Sequence, residues 1–248
     1  MAIAPALNVA RVVLITGSTS GIGAAAAQRF AAEGDTVVFN SIRSVDAGAA
    51  LVTDTPGSSY VRGDIANEDD CHRLIDTVLA RHGRLDVLVN NAGITRVIPQ
   101  RDLEAASVDV WREIFEVNVF GTWQLSVAAM ASLTASRGAI VNVSSLAGVR
   151  QVGSSIPYSA SKAAVNHMTS LLAKVVGPEV RVNAVAPGLV RTPWTKDWDA
   201  QHAFVERVAP LGRSAMPADV ADVIYMLATT PFVTGQVVVV DGGFSLTV

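Results

Sequence analysis

The chain has 248 residues, half of them apolar, and a formal net charge of −3 at pH 7. That length supports a large buried core, and without a Lys/Arg cluster the chain lacks the electrostatic footprint of a nucleic-acid binder. The single cysteine, Cys71, excludes an internal disulfide and fits a reducing compartment; it reads as a small helix residue rather than a nucleophile.

The opening MAIAPALNVARVVLITG has no charged segment followed by a long apolar stretch and a cleavage site. No apolar run approaches the roughly 18 residues of a membrane span, so the expectation is a soluble, cytoplasmic protein without a membrane partner. The first strand is RVVLIT (11–16), and a helix follows over 22–33. TVVFNS (36–41) is the second strand, with a helix at 45–53. SYVRGD (59–64) is the third, and Asn67 ahead of Glu68–Asp70 predicts an N-cap with acids in the first turn of a helix over 67–82. LDVLVNN (85–91) is the fourth strand, before a long helix over 107–134. AIVNVSS (139–145) is the fifth, before a helix over 156–176. VRVNAVAP (180–187) is the sixth; the segment 188–216 after it reads as irregular, and a loop of that length is commonly a lid or binding segment. Pro217 with Asp219 opens a helix over 217–229, and QVVVVDGG (236–243) is the last strand.

Several of these runs are apolar throughout rather than alternating, as in strands buried on both faces. Strand–helix alternation predicts a parallel sheet covered by helices on both sides. The expected fold is therefore α/β: one doubly wound, Rossmann-type domain over residues 1–248 with seven parallel strands. No repeat, linker or low-complexity tract interrupts it.

TGSTSGIGAAAAQRF (16–30) joins the first strand to the first helix. Two registers fit it. Gly21–Ile22–Gly23 followed by Ala26 matches a G-x-G-x-x-A dinucleotide fingerprint, and Gly17–x–x–x–Gly21–x–Gly23 is a longer spacing. In both, glycines admit a pyrophosphate close to the backbone and the helix N-terminus faces its charge. The hydroxyls of Ser18, Thr19 and Ser20 are further candidate donors.

Tyr158 precedes Lys162 by four residues in a chain with only three tyrosines. Residues i and i+4 share a helix face. A phenol with a pKa near 10 is a poor acid or base at pH 7, and a cation beside it would lower that pKa. Asn118 sits inside the long helix, where its propensity is unfavourable, which hints at a job other than helix formation. His72, His82, His167 and His202 show no metal-ligand spacing and read as surface or helix-edge residues, so no metal is expected.

TGSTSGIG, NNAG (90–93), VNVFG (117–121), IVNVSS (140–145), YSASK (158–162) and NAVAPG (183–188) occur in the order and spacing of the short-chain dehydrogenase/reductases, which this chain resembles over essentially its whole length. The resemblance implies hydride transfer between NAD(P)(H) and an alcohol or carbonyl. It gives Tyr158 as the acid/base and Lys162 as its partner, also holding the nicotinamide ribose. Ser145, thirteen residues before the tyrosine, is the substrate-orienting serine, with Ser144 left to local backbone bonds. Asn118 bends its helix and holds a water that relays protons to the lysine.

The same resemblance places Asp64 and Ile65 at the adenine edge and Asn91, Ala92 and Gly93 under the adenosine ribose, leaving Asn90 to stabilise its strand. Pro187, Gly188, Val190 and Thr192 face the nicotinamide. The position that carries an acid in NAD-binding relatives falls on Ser41, and Arg43 follows two residues on. A guanidinium without a carboxylate suits the 2′-phosphate, so NADP(H) is the expected cofactor, with NAD(H) possible.

The substrate segments are 94–101, 146–157 and 189–208. Ile94, Leu146, Val152, Ile156, Trp194 and Trp198 suggest an apolar pocket. Trp194 and Trp198, spaced i, i+4, either share a face of a short lid helix or are its packing residues. The preferred substrate is a small or medium apolar alcohol or ketone. The alternative is a 3-oxoacyl-carrier-protein or acyl-CoA reductase, although the helix ends at 130–138 and 171–179 offer only Arg137 and Lys174 to an acidic carrier. A non-catalytic dinucleotide sensor is a third reading. Apolar residues on more than one face of the helices 107–134 and 156–176, and the apolar C-terminus, imply a homotetramer, or failing that a dimer.

Overall fold

The apolar runs form seven strands: β1 (Val12–Ile15), β2 (Thr36–Ser41), β3 (Ser59–Arg62), β4 (Val87–Asn90), β5 (Ala139–Val143), β6 (Arg181–Pro187) and β7 (Val237–Val240). They pair in parallel in the order β3-β2-β1-β4-β5-β6-β7. This is the doubly wound α/β arrangement expected from the alternation. The computed structural model describes residues 10–247, so residues 1–9 of the opening segment and Val248 of the closing one lie outside the described residues.

Eight helices complete the described residues: α1 (Gly21–Ala32), α2 (Val45–Asp54), α3 (Glu68–His82), α4 (Val108–Phe115), α5 (Thr122–Ser136), α6 (Ile156–Val176), α7 (Asp199–Val208) and α8 (Pro217–Thr229). Strands β1, β4 and β5 are buried along their whole length. Their side chains feed two cores, one per face. Leu14, Leu88 and Ile140 pack with Leu74, Leu125, Leu133 and Leu172 of α3, α5 and α6. Val13, Val89 and Val141 pack with Phe30 of α1 and Ile224 and Leu227 of α8. The edge strands β3 and β7 are only partly covered.

Local signals set the helix starts. Asn67 Oδ1 accepts from the Asp70 backbone N–H at 2.9 Å, and Gly83 closes α3 in the left-handed region. Asp219 Oδ2 accepts from the Met216 N–H at 2.7 Å behind Pro217. Ser155 Oγ accepts from the Tyr158 N–H at 3.4 Å, which places Tyr158 in the first turn of α6. Cys71 is buried within α3, where burial pushes its thiol up to about 12, so it is the inert packing residue expected.

Two expectations need correction. The helix predicted over 107–134 is interrupted: α4 and α5 are joined through a π-helical turn, Glu116–Gly121, with Asn118 inside it. The segment 188–216 is not irregular throughout, for it contains a 3₁₀ turn at Pro193–Thr195 and the helix α7. Trp194 lies in that turn and Trp198 is the residue before α7, so the two do not share a face of one lid helix. The turn at 196–197 and the non-helical backbone of Trp198 break the helical run that their spacing suggested. No described helix is long and apolar enough to cross a membrane.

Candidate active site

All seven strands point the same way, so the turns after them gather at one edge of the sheet. The order reverses at β1 and β4, and there the chains diverge to leave a crevice. A cleft of about 1290 Å³ occupies this edge, and the turns after β1, β2, β4, β5 and β6 line it together with the 189–205 segment.

The glycine turn forms its floor. Gly17 and Gly21 have φ of +60° and +55°, a region that side chains disfavour. A Cβ at Gly23 would stand 2.5 Å from Asn91 Nδ2 and 2.6 Å from the Gly17 carbonyl oxygen, so this glycine lets α1 close onto the turn. Asn91 braces the turn, with its Nδ2 donating to the carbonyls of Thr16 (2.8 Å) and Gly17 (3.0 Å). Gly17, Ser20, Gly21 and Ile22 face the cleft. Ser18 does not: it is fully buried, and its Oγ accepts from the Asn40 N–H at 3.0 Å, tying the turn to β2. Thr19 and Gly23 also lie outside the cleft lining. Of the three hydroxyls expected as donors, only Ser20 is placed to serve.

At the end of β2, Ser41 and Arg43 line the cleft. Ser41 Oγ lies 2.9 Å from the Tyr60 hydroxyl, and Arg43 makes no ion pair with a described residue. Asp64, Ile65, Asn91, Ala92, Gly93, Pro187, Gly188, Val190 and Thr192 line it too.

Tyr158, Lys162 and Ser145 meet on the far side. Lys162 is buried, and its Nζ donates to the Val143 carbonyl at 2.9 Å. An ammonium has three donors, so two remain for a group in the cleft. Burial lowers its pKa from 10.5 to about 8. The Nζ lies 5.8 Å from the centre of the Tyr158 ring. Burial pushes the Tyr158 phenol above its ordinary pKa, while the neighbouring Ser145 hydroxyl works in the opposite direction. Desolvation of the phenol is the larger of these two effects.

Ser145 follows β5, and its Oγ accepts from the Ala147 N–H at 3.1 Å. Ser144 reaches further than the local backbone bonds expected of it, donating to the Lys162 carbonyl at 3.2 Å. Asn118 is buried in the π-helical turn. Its Oδ1 accepts from the Ile94 N–H at 2.8 Å, and its Nδ2 donates to the Ile94 carbonyl and to Ser161 Oγ, both at 3.0 Å. The bend expected at Asn118 is present. Both amide donors are committed, so its side chain anchors the exit of β4 to α6. Asn90 likewise leaves its own strand, donating to Ser126 Oγ at 3.0 Å and Asn142 Oδ1 at 2.9 Å.

Ile94, Leu146, Val152, Trp194 and Trp198 line the substrate side. Ile156, expected there, is exposed and lies outside the lining. As the first residue of α6 it belongs to the turn that directs Tyr158 inward, and its own side chain leaves on another side. Trp194 stands edge-on to Tyr158, with 6.4 Å between ring centres. Phe204 of α7 and Phe244 extend this wall, and they meet edge-on at 6.1 Å. Phe244 was not read as a site residue, because nothing local shows that the C-terminus returns to the cleft. Gly148 was also missed: a Cβ there would lie 2.6 Å from the Lys162 carbonyl carbon. Of the histidines, His72 and His167 are exposed as expected, His82 is half-buried against Ser59 at 2.8 Å, and His202 is buried. No group of metal-ligating side chains occurs among the described residues.

A family model described as enoyl-(acyl carrier protein) reductase matches residues 17–245. The chain is 54% identical over 243 residues to the granaticin polyketide synthase putative ketoacyl reductase 2 of Streptomyces violaceoruber, covering 96% of this chain and 97% of that one. It is 39% identical to a 3-oxoacyl-(acyl-carrier-protein) reductase of Thermotoga maritima, with 94% and 97% covered. It is 38% identical to the cis-4-hydroxycyclohexanecarboxylate dehydrogenase of Sinomonas cyclohexanicum, with 95% and 96% covered. The crystal structure of a putative short-chain dehydrogenase/reductase from Burkholderia xenovorans superposes with a TM-score of 0.89 at 37% identity, covering 96% of this chain and 98% of that one.

The buried cation carries a testable cost. Its depressed pKa means that the unfolded chain holds the proton more tightly, so the fold is penalised below pH 8 and the penalty fades as pH rises toward 10.5. Lys162→Met is expected to stabilise the fold at pH 7 by about 2 kcal/mol, after allowing for the lost bond to Val143, or roughly 4–8 °C in Tm. Calorimetry at pH 7 and pH 10 checks this: the gain should shrink at the higher pH, and a variant melting below the native chain at pH 7 would refute it.

Proposed function

The chain belongs to the short-chain dehydrogenase/reductase family of oxidoreductases, and from that membership we propose that it interconverts a ketone and a secondary alcohol with NADP(H), using Tyr158 as the general acid/base. The observation that carries the reading is the convergence of Tyr158, Ser145 and Lys162 on the cleft that the glycine turn floors. In reduction, the phenol donates its proton to the developing alkoxide, and the Ser145 hydroxyl orients and polarises the same oxygen. A phenol held above its ordinary pKa retains that proton at neutral pH. Lys162, with a pKa lowered to about 8, keeps a positive charge beside it at neutral pH and has two donors left after its bond to Val143.

The residues fit a nicotinamide dinucleotide. Gly17 and Gly21, which bring no side chain, and the N-terminus of α1 line the cleft and suit a pyrophosphate. Asp64 and Ile65 would hold the adenine, Asn91–Gly93 the adenosine ribose, Lys162 the nicotinamide ribose, and Pro187–Thr192 the nicotinamide. When bound, the dinucleotide supplies or accepts the hydride. Ser41 brings no carboxylate to the ribose, and the unpaired Arg43 beside it favours the 2′-phosphate.

On the substrate side, Trp194, Trp198, Phe204 and Phe244 favour an apolar ketone of small or medium size. A second reading, reduction of a 3-oxoacyl or polyketide thioester, is favoured by the names of the relatives at 54% and 39% identity. Against it stands the scarcity of basic residues at the outer ends of α5 and α6. We also propose a homotetramer. Phe120, Trp123 and Val127 are exposed along the π-helical turn and α5, Leu171 and Val175 on α6, and Phe232 ahead of β7. Such self-complementary apolar faces suit closed symmetry.

Tyr158→Phe is expected to lower kcat at least about a hundredfold while leaving NADPH binding within about threefold of the native value. A panel of carbonyls followed by NADPH absorbance measures it, and retention of more than about a tenth of kcat would remove the assignment. Arg43→Ala should weaken NADPH by about ten- to a hundredfold and spare NADH. Equal losses in calorimetric titration would refute the phosphate role. Light scattering during size exclusion should give about four times 25.9 kDa; an active monomer would overturn the assembly.

A further inference from the structure

His202 occupies the middle of α7, the helix that carries part of the outer wall of the cleft, and it is buried. Both ring nitrogens are engaged. Nδ1 lies 2.8 Å from Ser214 Oγ, and Nε2 lies 3.3 Å from Thr195 Oγ1. The Thr195 hydroxyl donates to the Val190 carbonyl at 2.6 Å and accepts from the Thr192 N–H at 3.3 Å. With the proton of that hydroxyl committed to Val190, Nε2 has to donate and Nδ1 has to accept from Ser214. This selects one neutral tautomer.

The connection reaches the site. Thr195 closes the 3₁₀ turn that carries Trp194 edge-on to Tyr158, and Thr192 packs within 3.3 Å of where a side chain on Gly21 would stand. We propose that neutral His202 is a positioning residue that latches α7 onto the Thr192–Thr195 turn, and that uptake of a proton releases the latch and opens the outer wall of the cleft.

The surroundings set the direction. Asp199 and Glu206 lie on the histidine's own helix. Arg191 and Lys196 lie on the segment packed against it, and Arg213 adjoins Ser214. Arg191 is paired with Glu206 and Arg213 with Asp219. Burial, reinforced by Arg191, holds the imidazole below its ordinary pKa. A second proton would sit on Nδ1 and oblige Ser214 to turn from donor to acceptor, inside a recess that already holds guanidinium groups. The latch is thus complete above the ordinary histidine pKa near 6.5 and weakens as pH falls below it.

Hydrogen–deuterium exchange of the full chain, with rates corrected for intrinsic pH dependence, reads the latch without any substrate. Between pH 7.5 and 5.5 the opening of peptides spanning 193–208 should rise about three- to tenfold, the loss of one neutral hydrogen bond, while 217–229 in α8 stays unchanged. His202→Gln, which keeps a hydrogen-bonding amide but does not titrate, should remove the pH dependence. His202→Leu should be open at both values. Should the leucine variant fail to fold, Ser214→Ala removes the Nδ1 partner from outside α7 and should itself raise opening. Native protection that is the same at both pH values overturns the proposal. So does a glutamine variant that follows the native profile, or a leucine or Ser214→Ala variant as protected as the native chain.

Discussion

Everything chemical in this molecule depends on how closely α6 approaches the end of β5. Three polar links fasten this contact. Lys162 Nζ donates to the Val143 carbonyl, Ser144 Oγ donates to the Lys162 carbonyl, and Asn166 Nδ2 donates to the Gly148 carbonyl at 3.0 Å. Gly148 permits it, because any side chain there would drive the helix away. One element thereby delivers Ser145 and the other delivers Tyr158, with no freedom for either to slide. The cost is a buried ammonium without an acidic partner, a group that a core built for stability alone would omit.

The same helix is fastened from behind by a ring of hydrogen bonds that starts and ends on it. Ser161 Oγ accepts from Asn118, and the Asn118 carbonyl accepts from Thr122. The Thr122 carbonyl accepts from Ser126, whose hydroxyl accepts from Asn90. Asn90 also donates to Asn142, Asn142 donates to Thr169, and Thr169 returns to the Val165 carbonyl on α6. The ring links the π-helical turn, α5, β4 and β5 through otherwise apolar packing. A buried polar group left without a partner is costly, so each member holds its neighbours in register. This explains why asparagines stand at positions where strand and helix propensities disfavour them.

Legibility in the sequence followed the range of the interactions. Strand order, the glycine turn and the Tyr158–Lys162 pair could be read because each is a local pattern: an apolar run, a turn, an i, i+4 spacing. A bend at Asn118 came only from the resemblance, and periodicity read one helix through it, since the π-helical turn is held by Ile94 and Ser161, which are distant in the chain. Ser18 read as a phosphate donor because hydroxyls in a glycine turn usually face out, yet Asn40 of β2 captures it. Ile156 counted as a pocket residue on composition alone. His202 looked bland because its partners, Thr195 and Ser214, come from two other segments of the lid. The candidate residues Tyr158, Lys162 and Ser145 were named through the family resemblance; the direction in which burial moves Tyr158 was not legible, because desolvation is a property of the folded environment.

The two walls of the cleft are built by different physics. The wall formed by β5 and α6 is fixed by buried hydrogen bonds that few neighbours could replace. The outer wall carries Trp194, exposed and edge-on to Tyr158, and α7, whose Glu206 makes a solvent-exposed pair with Arg191 of the preceding segment. Exposed pairs of that kind contribute little to stability. The outer wall therefore rests on a few apolar contacts, on the Val190 bridge to Ala215 and on the single buried histidine. A wall fixed by buried hydrogen bonds thus faces an apolar wall held by fewer specific contacts, so substitutions in the outer wall disturb the Ser145–Tyr158–Lys162 side least.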